Sequence, residues 1–136
     1  MKKILFFLIL FLFTTACSKI NVFGFGKEKS DFEKLKINEA LWTASTNLLS
    51  NYSNVEKNLK EGLISTDWII TKKSPNSRFR ISIYILGSSF IEENLIIFCE
   101  KEFNKKGVWT KTKVSEAFIA SIKLKIMEDA KNYDKI

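Results

Sequence analysis

Apolar and polar side chains alternate without a break from Arg78 to Ile85. Phe79, Ile81, Ile83 and Ile85 occupy one set of positions, and Arg78, Arg80, Ser82 and Tyr84 occupy the other. Because successive side chains of a strand point to opposite faces, this pattern predicts a half-buried strand. We expect Ile81 and Ile83 to lie in the core, and Arg80 and Ser82 to face the wetter side of a sheet.

Two segments with helical periodicity flank the strand-forming region. In the first, Ile37, Leu41, Ala44 and Leu48 recur at helical spacing, which predicts a helix from about Asn38 to Ser50. Asn38 is its expected N-cap. In the second, Phe118, Ile119, Ile122, Ile126, Ala130 and Tyr133 share one stripe, which predicts a helix from about Ser115.

Further strands are predicted around the alternating segment. Residues 63–72 predict a first strand with Ile64, Thr66, Trp68 and Ile70 on one face, and residues 95–103 and 108–113 predict two more. Turn-forming clusters occupy 73–77 and 104–107, and the polar stretch 51–61 predicts a loop. Strands joined by short turns are antiparallel. The predicted fold is therefore a two-layer α+β domain, with a helix, a three- or four-stranded antiparallel meander and a C-terminal helix.

The N-terminus has the pattern of an export signal. Lys2 and Lys3 precede an apolar run over residues 4–13, which is shorter than the roughly 20 residues of a membrane-spanning helix. The run leads to Thr14-Thr15-Ala16-Cys17 and resembles a bacterial lipoprotein signal, which implies cleavage before Cys17 and acylation of its sulfur. An ordinary signal peptide that leaves Cys17 as a plain thiol is the alternative.

The leader divides the chain into three predicted regions. Residues 1–16 are the signal peptide, residues 17–36 are the lipidated Cys17 and a flexible tether, and residues 37–136 are a single domain. Two or three acyl chains hold a protein durably at a membrane. Since Ser18 follows the cysteine, the resemblance implies the outer membrane, facing the periplasm, rather than the inner membrane.

Composition excludes several kinds of site. The net charge is +7, or +5 without Lys2 and Lys3, and the lysines alternate with acids, so we expect no nucleic-acid partner. The chain has no histidine, which excludes Ser-His and Cys-His nucleophile pairs and histidine zinc sites. We predict no catalytic residue, metal or cofactor. Cys99 ends the apolar run Ile96-Ile97-Phe98 and is predicted to pack in the core.

Asp67, Arg78 and Arg80 are the candidate partner-binding residues. A carboxylate hydrolase would need a second acid at a fixed distance from Asp67, and no spacing in the sequence supplies one. We therefore expect Asp67 to be a carboxylate on the solvated face or to pair with Arg78 or Arg80 on the neighbouring strand. Trp42 and Trp68 are predicted to be core residues. Alternatively, they line a groove together with Trp109, which lies near a sheet edge.

Four segments carry a family resemblance: Leu41-Trp42-x-Ala44-Ser45, Thr66-Asp67-Trp68, Pro75-Asn76-x-Arg78-Phe79 and Tyr84-Ile85-Leu86. With the leader, they resemble a family of small alphaproteobacterial envelope lipoproteins classed as a domain of unknown function. This resemblance implies location and fold but no catalytic residues. The order of the elements is also similar to the helix-grip repeats of the C-component lipoprotein of the outer-membrane β-barrel assembly machine.

The predicted anchor and tether, without a catalytic constellation, indicate a protein that works by binding. We expect a membrane-anchored accessory or scaffold protein in envelope assembly or maintenance, with an envelope protein as partner. The alternative is a carrier that holds a lipid or another apolar ligand between the helices and the sheet.

Overall fold

The computed structural model describes residues 29–134. The signal peptide, Cys17 and the tether up to residue 28 lie outside the described residues. The helices are α1 (Asp31–Leu35), α2 (Glu39–Leu49) and α3 (Glu116–Tyr133). The strands are β1 (Val55–Asn58), β2 (Leu63–Thr66), β3 (Ile69–Thr71), β4 (Ser74–Ile85), β5 (Leu95–Lys105) and β6 (Val108–Thr112).

The six strands form one antiparallel sheet in the order β1-β2-β4-β5-β6, and β3 pairs with the first half of β4. Helices α2 and α3 pack on each other and on one face of this sheet, which we call the inner face. The opposite face is called the outer face. The predicted two-layer α+β fold is confirmed, with six strands in place of the three or four expected.

The core lies between the helices and the inner face. Ile81 and Ile83 are 1% and 0% exposed, as the alternation predicted, and Leu41 of α2 and Ile126 of α3 are 0% exposed. Complete burial of such a side chain contributes about 1.5–3 kcal/mol. The register places Cys99 beside Ile81, at the margin of this core, where burial raises the pKa of the thiol to about 11.

Asn38 connects the start of α2 to the β4–β5 connection. Its side-chain oxygen accepts from the backbone N–H of Leu41 at 2.9 Å, which makes it the N-cap that the sequence predicted. Its side-chain nitrogen donates to the carbonyl of Ser88 at 2.9 Å, and its backbone N–H donates to the carbonyl of Gly87 at 2.9 Å. One residue therefore fixes both the beginning of the helix and its position on the sheet.

Gly62 allows β2 to begin beside the end of β4. Its φ is +64°, and a Cβ at this position would lie 2.3 Å from the carbonyl oxygen of Ile85. The N–H of Ile85 donates to the carbonyl of Gly62 at 2.9 Å. A side chain would therefore be excluded both by the backbone conformation and by the neighbouring strand.

Several predicted boundaries are wrong. Strand β1 lies within the predicted loop 51–61, and β4 begins at Ser74, so the turn is at Lys72-Lys73 rather than over 73–77. Helix α1 lies within the predicted flexible tether. The ring of Phe32 in α1 packs edge-on against Trp42, with centroids 6.4 Å apart. The ordered domain therefore begins before residue 37.

Candidate partner-binding face

The segment Thr66-Asp67-Trp68 forms a step between β2 and β3 instead of continuing one strand. The Thr66 hydroxyl accepts from the N–H of Ile81 at 3.0 Å, and this bond lies at the gap between the two strands that pair with β4. The Asp67 carboxylate accepts from the N–H of Trp68 at 2.7 Å. After this step, Ile69 pairs with the inner-face residue Phe79.

The step changes the face on which the following residues lie. A one-residue shift moves every later side chain of a strand to the opposite face. Trp68 therefore lies on the outer face, and Ile70, opposite Arg78, is 55% exposed. The predictions of a core position for Trp68 and of a single face for residues 64–70 are wrong. Trp42, in contrast, is partly buried and packs against the core.

Arg78 lies between two tryptophan rings on the outer face. Its guanidinium carbon is 4.4 Å from the ring centroid of Trp68 and 4.3 Å from that of Trp109. Its Nε and Nη2 atoms lie 2.8 and 2.6 Å from Oε2 of Glu102, the directly opposed residue on β5. We call Trp68, Arg78 and Trp109 the arginine stack. Cation–π contacts contribute about 0.5–1 kcal/mol each at exposed sites and more where water is excluded.

Arg80 extends this arrangement along β4. Its guanidinium pairs with Glu100 of β5 and lies 4.9 Å from the Trp68 ring centroid. Glu100 also accepts from Lys111 of β6 at 3.3 Å. The hydrogen bond from Arg80 is the main cause that lowers the pKa of Glu100, and the same bond raises the pKa of Arg80. These charged side chains join three neighbouring strands. We call Arg78, Arg80, Glu100, Glu102 and Lys111 the charged row.

The three predicted site residues are close together, and of the two alternatives for Asp67 the structure has the unpaired carboxylate. Asp67 forms no ion pair with a described residue, whereas Arg78 and Arg80 pair with Glu102 and Glu100. Asp67 and Arg80 line the same shallow depression, and the Asp67 charge adds a small upward shift to the pKa of Arg80. Arg78 and Arg80 both contact Trp68, the residue whose N–H Asp67 caps.

An apolar patch occupies the other half of the outer face. Tyr84 of β4 and Phe98 of β5 are diagonal neighbours whose rings meet edge-to-face, with centroids 6.1 Å apart. Phe98 is 61% exposed and Ile96 is 38% exposed. A depression of about 460 Å³ lies between this patch and the charged row, lined by Arg80, Ser82, Tyr84, Phe98 and Glu100. We call Tyr84, Ile96 and Phe98 the apolar patch.

Sequence reasoning missed the glutamates and the apolar patch. Glu100 and Glu102 have the same two-residue spacing as Arg78 and Arg80. On neighbouring strands, this shared spacing predicts two cross-strand ion pairs. Phe98 lies among apolar residues on both sides, so no alternation marked its face. Its exposure follows from the register, in which Phe98 is opposite Ser82.

The outer face is rich in arginine and aromatic side chains. Among residues 29–134, no group of three or more His, Cys, Asp or Glu side chains is placed to hold a metal ion. None of the described helices combines the length and the hydropathy needed to cross a bilayer. Aromatic side chains and arginine, which predominate here, are the residue types enriched where proteins bind one another.

A family model described as "Domain of unknown function (DUF3576)" matches residues 35–135. The chain belongs to this family. The DUF3576 match extends from the end of α1 through α3 and therefore includes the arginine stack and the apolar patch. It confirms the part of the sequence resemblance that assigns a domain of unknown function. No curated protein and no solved structure matches the chain.

Proposed function

We propose that this DUF3576 protein is a membrane-anchored periplasmic lipoprotein, held at the outer membrane through Cys17, which acts as a non-catalytic scaffold or accessory protein in envelope assembly or maintenance. The outer face of its sheet would bind a protein partner. The observation that carries the proposal is the exposed apolar patch beside an ordered row of charges. The similarity in element order to the C-component of the β-barrel assembly machine agrees with such a role.

The apolar patch and the charged row differ in how they are available to a partner. Arg78 already contacts two tryptophan rings and pairs with Glu102, so the arginine stack serves as a rigid support. Phe98 has 61% of its surface free, and burial of its ring against a partner would contribute about 1.5–3 kcal/mol. Arg80, with 44% of its side chain exposed, lies at the border and supplies polar recognition.

The packing of the core favours the scaffold over a carrier. Leu41 and Leu49 of α2, Ile83 of β4 and Ile126 of α3 are each 0% exposed and fill the space between helices and sheet. A ligand held there would have to displace these side chains. On the outer face, a partner would displace only water.

A photo-crosslinking amino acid placed at Phe98 tests the proposed face in intact cells. Leu124 is the matched control position, because it is also 61% exposed but lies on α3. We expect a discrete adduct with an envelope protein from position 98 and none from position 124. Phe98→Ser should weaken capture by a crosslinker placed at Ile96, whereas Leu124→Ser should not.

The anchor is tested separately by fractionation and intact mass. Cys17→Ala should move the protein from the membrane fraction to the soluble periplasm, and the wild-type chain should begin at an acylated Cys17. An unmodified chain with a different first residue would contradict the anchor. Stoichiometric lipid in an organic extract of the purified Cys17→Ala protein would support the carrier instead.

A further inference from the structure

Two lysine-rich turns meet at one end of the sheet. The β3–β4 turn carries Lys72 and Lys73, and Lys105 ends β5 next to Lys106 in the β5–β6 turn. Because β4 and β5 are antiparallel and Ser77 is opposite Phe103, the start of β4 and the end of β5 lie at the same end. The register therefore brings together two lysine pairs that are more than 30 residues apart in sequence.

The inner face at this end extends past the cover of the helices. Along β5, the inner-face residues Leu95 and Cys99 are buried or half-buried, whereas Lys101 and Phe103 are exposed. Phe103 is 45% exposed, and Val108, opposite Lys105 on β6, is 65% exposed. A depression of about 570 Å³ lies here, and its lining includes Lys73, Lys101, Phe103 and Lys113. We call this end of the sheet the ribbon tip. It consists of Lys72, Lys73, Lys101, Phe103, Lys105, Lys106, Val108 and Lys113.

The lysines of the ribbon tip are poorly neutralised by the rest of the described chain. Within segments 72–77 and 101–113 the sole acid is Glu102, and Arg78 occupies it on the outer face. Lys113 has one weak partner, Glu116 at 3.8 Å, with both side chains almost fully exposed. No ion pair joins Lys73 or Lys101 to a residue in 29–134. The tip thus presents a concentrated positive potential beside two exposed apolar side chains.

We propose that the ribbon tip docks on the surface of an anionic phospholipid bilayer. Lysine ammonium groups would bind headgroup phosphates, while Phe103 and Val108 would enter the boundary between headgroups and acyl chains. Each lysine close to an anionic bilayer strengthens binding about fivefold. The apolar side chains favour a bilayer over a soluble polyanion, which would leave them in water. This contact does not depend on acylation of Cys17.

An environment-sensitive fluorophore at position 108 tests this docking. The chain without the predicted signal peptide, residues 17–136, carries Cys17→Ser and Cys99→Ala, with one new cysteine from Val108→Cys or, as the control, from Leu124→Cys at similar exposure. The probes are vesicles of phosphatidylcholine alone or mixed equally with phosphatidylglycerol. We expect a blue shift at position 108 with the anionic vesicles only, reversed by high salt, and none at position 124.

Neutralising substitutions test the role of charge. Lys105→Gln with Lys106→Gln should raise the anionic lipid concentration needed for half of the shift by about 25-fold. Lys57→Gln with Lys60→Gln, at the opposite edge of the sheet, should change it by less than about twofold. Equal effects of the two pairs, equal shifts at positions 108 and 124, or an equal shift with neutral vesicles would each overturn the proposal. Since Cys17 is absent from this chain, the outcome is independent of the proposed anchor.

Discussion

Arg78→Lys should destabilise the domain far more than Arg80→Lys, although both substitutions keep the charge. Arg78 is 25% exposed and contacts two tryptophan rings, whereas Arg80 is 44% exposed and contacts one ring at a longer distance. A lysine cannot stack as a plane between two rings or donate from two nitrogens to one carboxylate. It would also leave Glu102, whose side chain is 13% exposed, less well paired.

The expected loss follows from these contacts. Two ring contacts of about 0.5–1 kcal/mol each, with the weakened charge-assisted hydrogen bonds to Glu102, give about 1.5–2.5 kcal/mol for Arg78→Lys. For Arg80→Lys we expect about 0.5 kcal/mol, since its pair is near the surface. Domains of this size unfold with about 5–15 kcal/mol, so the larger loss is a substantial fraction of the total.

Urea unfolding followed by far-ultraviolet circular dichroism measures the difference. With a slope of about 1–3 kcal/mol per molar, Arg78→Lys should lower the midpoint by roughly 1 M, and Arg80→Lys by much less. Combining Arg78→Lys with Trp109→Leu should cost less than the two separate losses together, because both remove the same contact. Equal midpoints for the two lysine variants, or fully additive losses, would refute the role assigned to the stack.

Three further outcomes are expected. Ile83→Ala should cost about 2–5 kcal/mol in chemical denaturation and Ser82→Ala no more than about 0.5 kcal/mol, and equal losses would contradict the register. Cys99 should react with iodoacetamide at pH 8 about 100-fold more slowly in the folded than in the unfolded chain, because folding raises the pKa of its thiol from 9.0 to about 11. The stability that burial of the neutral thiol contributes is complete below pH 9 and is lost as the pH rises through 11. Phe32→Ala should lower the free energy of unfolding, measured in urea, by about 1–3 kcal/mol through lost burial and the lost Trp42 contact, whereas a flexible tether would show no change.

Local periodicity was sufficient to predict the central strand and the long helices. The alternation from Arg78 to Ile85 determines which side chains are buried because a strand has a fixed period of two. Asn38 was identifiable as an N-cap because the capping bond joins residues only three positions apart. These features depend on neighbours in sequence, so one sequence contains the information that they require.

The errors concern features that depend on pairing between distant segments. Strand β1 has the polar sequence Val55-Glu56-Lys57-Asn58, and its ladder with β2, rather than a hydrophobic pattern, makes it a strand. The step at Asp67 is equally invisible in a periodicity count, since Thr66 finds its hydrogen-bond partner on β4. Likewise, the lysines at 72–73 and 105–106 become neighbours only through the β4–β5 register.

The burial pattern of β5 explains why the candidate face has two different parts. On the inner face, Leu95 is buried and Phe103 is exposed, whereas on the outer face Phe98 is exposed and Glu102 is half-buried. The helices cover the inner face at the end of β5 that carries Leu95. The arginine stack covers the outer face at the other end, which carries Glu102. Changes in the stack should therefore alter partner capture only through loss of stability, whereas changes at Phe98 should alter capture in a fully folded protein. This difference distinguishes the support of the face from the surface that binds.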